Sequence, residues 1–252
     1  MITVNNGTPD SKTEESVIFP FDDVTVPFSA GLRLNMIAGK SPGIKNPVVL
    51  KPGLANAPDE RVRFYGTVIP IDGELRMWYL AKGTKDKENG FHGLKVCYAT
   101  SVDGINWDKP NLGLVEYNGN KNNNIVKLQT NGRNISVAAV PIMYEPEDPD
   151  SERRFKSVFE SGNYGNCIAV AFSADGLTWS IPDYNPVAPM LEQTGLIKIN
   201  GCYLVNGQGG RHFGQGRKLV TFASYDFEHW TQSGALGFRR DNIPPRPMQF
   251  EW

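Results

Sequence analysis

Cysteine is scarce in this 252-residue sequence: only Cys97, Cys167 and Cys202 occur. Three widely separated thiols supply neither a paired disulfide framework nor the clustered spacing of a zinc site, and they read as small buried residues. Histidine is equally sparse. His92, His212 and His229 show no metal-ligand spacing, so neither a metal nor a cofactor is expected. A surplus of either charge is also missing, because 26 Lys and Arg stand against 27 Asp and Glu for a formal charge of -1. With no basic field to hold phosphates, nucleic acid is not an expected partner. No apolar run is long enough to span a bilayer, so no membrane partner is expected either. The segment 1–16 has no apolar core of the kind a secretory signal needs. The expected location is therefore the cytoplasm, or a secreted or periplasmic one for a chain that has lost its natural start.

What the sequence has in quantity is turn formers, 26 Gly and 18 Pro, which favour many short strands over long helices. Residues 1–20 read as a flexible leader, and residues 21–252 as a single β-domain that begins with the extended run Phe21–Val26. Within it, one pattern recurs three times: an apolar strand, then Ser-x-Asp-x-x-x-Trp. The units are Ser101-Val102-Asp103-Gly104-Ile105-Asn106-Trp107, Ser173-Ala174-Asp175-Gly176-Leu177-Thr178-Trp179 and Ser224-Tyr225-Asp226-Phe227-Glu228-His229-Trp230. Asp-Gly supplies a tight reversal, with Gly accepting a positive φ and Asp bonding the backbone ahead of it, while the Trp is a large apolar anchor. The third unit departs from the other two by placing Phe227 where they have glycine.

A second strand precedes each unit, over 74–80, 154–159 and 202–205, and turn signals lead back to further extended runs at 63–69 and 135–144. Four strands per unit predict an all-β fold, a β-propeller of four-stranded antiparallel blades. The segment 243–252 reads as a connection entering a new strand. The expectation is therefore about three blades of a larger array, truncated or completed by a homo-oligomer, since open sheet flanks are normally covered.

The blades resemble the five-bladed propellers of the invertase, levanase and arabinanase superfamily of glycoside hydrolases. The likeness rests on Arg76-Met77-Trp78-Tyr79, on the run from Tyr98 to Val115, on Asn122-Asn123-Asn124-Ile125-Val126, on Asp148 to Lys156 and on Ser224 to Trp230. The Ser-x-Asp-x-x-x-Trp unit also resembles a shortened sialidase Asp-box, a structural motif. The superfamily resemblance implies a five-bladed fold, an oligosaccharide or glycoside as partner, and one carboxylate on the innermost strand of each of the first three blades. Paired carboxylates cleave a glycosidic bond because one protonates the leaving oxygen while the other attacks or activates water.

The runs matched here to inner strands, 63–68, 134–140 and 197–202, contain no Asp or Glu. Candidate catalytic residues are therefore the neighbouring loop carboxylates Asp59, Glu145 and Glu192. Arg61, Arg63, Tyr65, Asn134, Asn200 and Arg211 are the candidate sugar-binding residues, since such sites combine polar donors with flat apolar faces. Arg211 belongs to a Gly-rich run, 206–217, that lacks the order of a nucleotide cradle. Three readings stay open: a glycoside hydrolase, a non-catalytic carbohydrate-binding or interaction propeller, and a fragment without function of its own.

Overall fold

The computed structural model describes residues 48–84, 86, 94–209 and 218–234. The leader 1–20, the run 21–26, His92, Arg211, His212, most of the Gly-rich run and the segment 243–252 lie outside the described residues. Thirteen strands are assigned among those described. β1 (Arg61–Ile71), β2 (Glu74–Lys82) and β3 (Lys95–Ser101) form blade 1; β4 (Lys127–Thr130) and β5 (Arg133–Asn134) follow it. β6 (Ile142–Tyr144), β7 (Phe155–Ser161) and β8 (Cys167–Ser173) form blade 2, followed by β9 (Thr178–Trp179). β10 (Glu192–Ile199), β11 (Cys202–Gly209), β12 (Lys218–Ser224) and β13 (Thr231–Gly234) form blade 3. Every pairing inside a blade is antiparallel. The described residues thus form an all-β, three-blade portion of a propeller.

The predicted fourth strand is regular only in blade 3. In blades 1 and 2 the outer row is reduced to isolated bridges, Thr100 with Asp108 and Cys97 with Ile125, then Phe172 with Ser180 and Ile168 with Ala188. The sequence explains the difference. Pro110 interrupts the first outer row and Pro182 and Pro186 the second, and a residue without an N–H cannot sustain a ladder.

Two inner strands also differ from the sequence expectation. The inner strand of blade 2 is β6, beyond the predicted run 134–140, and that of blade 3 begins at Glu192, five residues before the predicted Ile197. In each case the apolar residues that suggested a strand pack elsewhere or occupy only its far half.

The repeated unit closes as its chemistry requires. In the first copy Ser101 Oγ accepts from Gly104 N at 2.9 Å, and Asp103 Oδ1 accepts from Ile105 N and Asn106 N at 2.8 and 2.7 Å. Trp107 Nε1 then donates to Gly104 O at 3.0 Å. The same bonds recur in the second copy through Ser173, Asp175 and Trp179, and in the third through Ser224, Asp226 and Trp230. Gly176, at φ 76°, is constrained further: a Cβ there would lie 2.7 Å from the Trp78 ring. The carbonyl of Gly176 also accepts from Trp78 Nε1 at 2.7 Å, tying the turn of blade 2 to the middle strand of blade 1.

Two apolar cores lie between blades. Trp78, Leu80, Val96 and Tyr98 of blade 1 pack against Phe155, Phe159, Ala169 and Ala171 of blade 2. Val158, Ile168, Val170 and Phe172 of blade 2 pack against Tyr203, Val205, Val220 and Phe222 of blade 3. This is strand alternation at work, because successive side chains of one middle strand serve opposite interfaces. A third cluster, including Met77, Tyr79, Cys97 and Ile125, covers the other face of blade 1. Packing blade on blade is what brings β1, β6 and β10 side by side as inner strands.

Candidate functional site

A cleft of about 360 Å³ opens where the three inner strands converge. β1 contributes Phe64, Tyr65, Gly66 and Thr67; Pro141 and Ile142 come from the start of the blade 2 inner strand; β10 contributes Gln193, Gly195 and Leu196. Its size falls at the small end of the ~300–1,000 Å³ range of small-molecule sites. Phe64 and Tyr65 present partly exposed rings, 57% and 44% accessible, and Arg63 lies over the Tyr65 ring at 5.3 Å.

Both flanking strands depart from regular pairing where they line the cleft. Between Arg63–Leu80 and Thr67–Trp78, β1 carries two more residues than β2, and between Gln193 and Gly195, β10 carries one more, Thr194, than β11. Bulges of this kind re-aim side chains and concentrate near binding sites. Two glycines permit them. A Cβ on Gly66 would meet Trp78 O at 1.8 Å, and one on Gly207 would meet Glu192 O at 2.0 Å. Thr67 closes the floor between blades: its Oγ1 donates to Val140 O and accepts from Ile142 N at 2.9 Å.

The candidate residues fall in different places. Asp59 is buried, accepts from the Tyr79 hydroxyl at 2.9 Å and is paired with Lys109. Burial pushes the Tyr79 phenol far up, so it remains a neutral donor. Glu145 follows β6 and accepts from Lys198 at 2.6 Å and the Tyr203 hydroxyl at 2.7 Å, with Lys156 Nζ at 2.8 Å. Burial opposes its ionisation, but these three donors prevail and hold its carboxyl below the usual value. A carboxyl so held is a poor proton donor near neutrality. Glu192, expected on a loop, is the first residue of inner strand β10 and immediately precedes Gln193.

Of the predicted binding residues, Tyr65 lines the cleft and Arg63 adjoins it through its contact with Tyr65. Arg61 is exposed at the start of β1. Asn134 ends β5, with Oδ1 buried and without a hydrogen-bond partner. Asn200 occupies the β10–β11 turn at φ 50°, about 20 Å along the sheet from Gln193 at ~3.3 Å per residue. Sequence reasoning missed Phe64 and Gln193. Phe64 stood inside the run assigned to β1, and a Gly following Glu-Gln-Thr was the available sign that a bulge, and not a loop, begins blade 3.

Cys97 is buried and its thiol is pushed up by that burial, whereas Cys167 and Cys202, expected to be buried, are only half so; all three are free. Among the described residues no three His, Cys, Asp or Glu side chains gather in a metal-binding group.

No family model matches the chain, and no curated protein does. Solved structures of similar fold include the family 32 β-fructofuranosidase BmSUC1 of Bombyx mori, at 12% identity and a TM-score of 0.43 over 66% of this chain and 33% of that one. A fructofuranosidase from Schwanniomyces occidentalis, complexed with fructosylnystose, matches at 12% identity and a TM-score of 0.46 over 75% of this chain and 38% of that one. A family 117 glycoside hydrolase produced by the marine bacterium Zobellia galactanivorans matches at 14% identity and 0.48 over 75% and 62%. The chain thus spans between about a third and three fifths of the length of these three structures. The likeness is one of fold.

Proposed function

We propose that this protein is carbohydrate-active, of glycoside hydrolase type, and seats a sugar ring in the cleft between its three inner strands. The observation that carries the reading is the lining itself: exposed Phe64 and Tyr65 rings beside an amide, enclosed by Pro141, Ile142 and Leu196. Flat apolar faces suit the C–H faces of a sugar, and a few placed polar groups suit its hydroxyls. Glu192 is the acid assigned to chemistry. Unlike Asp59 and Glu145 it forms no ion pair among the described residues, and it stands on inner strand β10, next in sequence to the cleft residue Gln193.

Hydrolysis of fructosides, arabinosides or xylosides by the purified protein is the expected result. Glu192→Gln should then lower kcat by about 10²–10⁴ with little change in KM, the signature of lost proton transfer. A second reading, carbohydrate binding without turnover, is favoured by the lining, since no described lining residue is a carboxylate. Binding of these glycosides without hydrolysis selects that reading. Neither binding nor hydrolysis overturns both. Self-association that covers the exposed Ile197 and Ile199 of blade 3 belongs to the same proposal.

A further inference from the structure

Gln193 is among the largest fully buried side chains, 2% exposed, yet neither its Oε1 nor its Nε2 has a hydrogen-bond partner. A buried amide left unpaired costs about 1–3 kcal/mol, so its presence requires an explanation. Three features point to a ligand. Gln193 lines the inner-strand cleft. It sits at the irregularity of β10, beside Thr194, so the strand departs from regular pairing where this residue lines the cleft. Its register partner is Gly207, which leaves no side chain opposite to bond it.

The rest of the described lining is uncharged. A ligand carrying a carboxylate, sulfate or phosphate would find no counter-ion among these lining residues, Arg63 adjoining them only through the Tyr65 ring, so its desolvated charge is unfavourable. An amide, by contrast, offers a donor and an acceptor side by side, the complement of two adjacent hydroxyl groups.

We infer that Gln193 is the specificity-determining residue of the cleft, pairing with a vicinal diol of a neutral sugar ring that lies against Phe64 and Tyr65. This rests on the carbohydrate reading above and adds to it the neutral class of sugar and the group that selects it. It requires no hydrolysis, so a catalytically silent protein would still bind in this way.

The test is isothermal titration of the full chain with sucrose, methyl α-L-arabinofuranoside and methyl β-D-xylopyranoside, and with methyl β-D-glucuronide as the charged comparison. At least one neutral glycoside is expected to bind, and the glucuronide to bind at least tenfold more weakly. Gln193→Leu should weaken the neutral glycoside about tenfold or more without lowering Tm, because it removes an unpaired buried amide and keeps the volume. Gln193→Glu supplies a readout that a purely structural residue would not give. A buried carboxyl has a raised pKa and, while protonated, is both donor and acceptor. Binding by this variant should therefore approach the wild type in acid and fall as pH rises through that pKa.

If wild type binds a neutral glycoside and both variants bind it equally well at every pH, the role given to Gln193 is wrong while the carbohydrate reading stands. Equal affinity for the glucuronide overturns the neutral class. If wild type binds none of the four, the carbohydrate reading and this inference fall together. A drop in Tm of several degrees in Gln193→Leu makes the amide structural, and the inference fails.

Discussion

Phe227 pairs two features that rarely coincide. Its φ is 68°, the left-handed region its counterparts Gly104 and Gly176 occupy at 72° and 76°. An L-residue pays roughly 1–2 kcal/mol to be there. Its ring is nevertheless fully buried, against Phe172, Tyr203 and Trp230 with centroids 5.0–5.7 Å away. Burial of a phenyl ring, whose truncation costs ~3–5 kcal/mol, outweighs the backbone strain. Phe227→Ala should therefore destabilise by about that amount, since it loses the ring and keeps the strain. Phe227→Gly should be less damaging than Phe227→Ala by about 1 kcal/mol, the reverse of the usual order, because glycine relieves the left-handed backbone. Urea denaturation of the three proteins measures both differences, and the usual order would refute the strain assigned here.

Between β6 and β7 the chain makes a turn closed by a buried cation. Lys156, 1% exposed, pairs with Glu145 at 2.8 Å and Asp148 at 2.5 Å and donates to Arg153 O. Burial works against ionisation of both carboxyls, but the Lys156 bonds prevail and hold both below their ordinary values of 4.5 and 3.8. The sign follows. A depressed folded pKa means that the unfolded chain binds more protons, so this stabilisation is present above the ordinary values and is lost as pH falls through the folded ones. Lys156→Met should cost about 2 kcal/mol near neutrality, below the ~3–5 of a fully buried pair because Glu145 keeps Lys198 and Tyr203 and Asp148 is partly solvated. That deficit should shrink as pH falls below the ordinary carboxyl values and through the lowered ones, as the carboxyls protonate. Tm measured against pH for both proteins checks it; a deficit independent of pH would mean that packing, and not the ion pair, holds the turn.

At the scale of the molecule, three blades enclose two interfaces, and the outward face of blade 3 leaves Ile197 and Ile199 53% and 49% exposed. In a strand these alternate with Leu196, which packs toward blade 2. Apolar residues repeated on one sheet face mark a surface that gains from being covered. Under the self-association proposed above, Ile197→Lys combined with Ile199→Lys is expected to abolish that association in sedimentation velocity while leaving the monomer folded. An unchanged sedimentation profile would remove this face from any assembly.

Most of the blade was legible in the sequence, because the information is local. Ser101, Asp103 and Trp107 bond groups within six residues of one another, and so do their two later counterparts, so spacing alone specifies the turn and anchor. Alternation with aromatic content likewise placed β2 and β7, and the apolar runs that lead into Ser101 and Ser173 placed β3 and β8. The inner strands were harder. β6 has three residues, and the first half of β10, Glu-Gln-Thr-Gly, is polar because it faces a cleft, so neither carries the alternation that identifies a strand. The identity of the cleft residues was decided only by blade-on-blade packing, which sets β1, β6 and β10 side by side across more than a hundred residues of sequence. Packing within blade 1 committed Asp59 to Tyr79 and Lys109, and the approach of blade 3 brought Lys198 to Glu145 beside Lys156 of its own blade. Sequence fixes what a residue offers its near neighbours; which distant groups meet it, and whether a buried amide such as Gln193 finds a partner, is settled only when the blades close on one another.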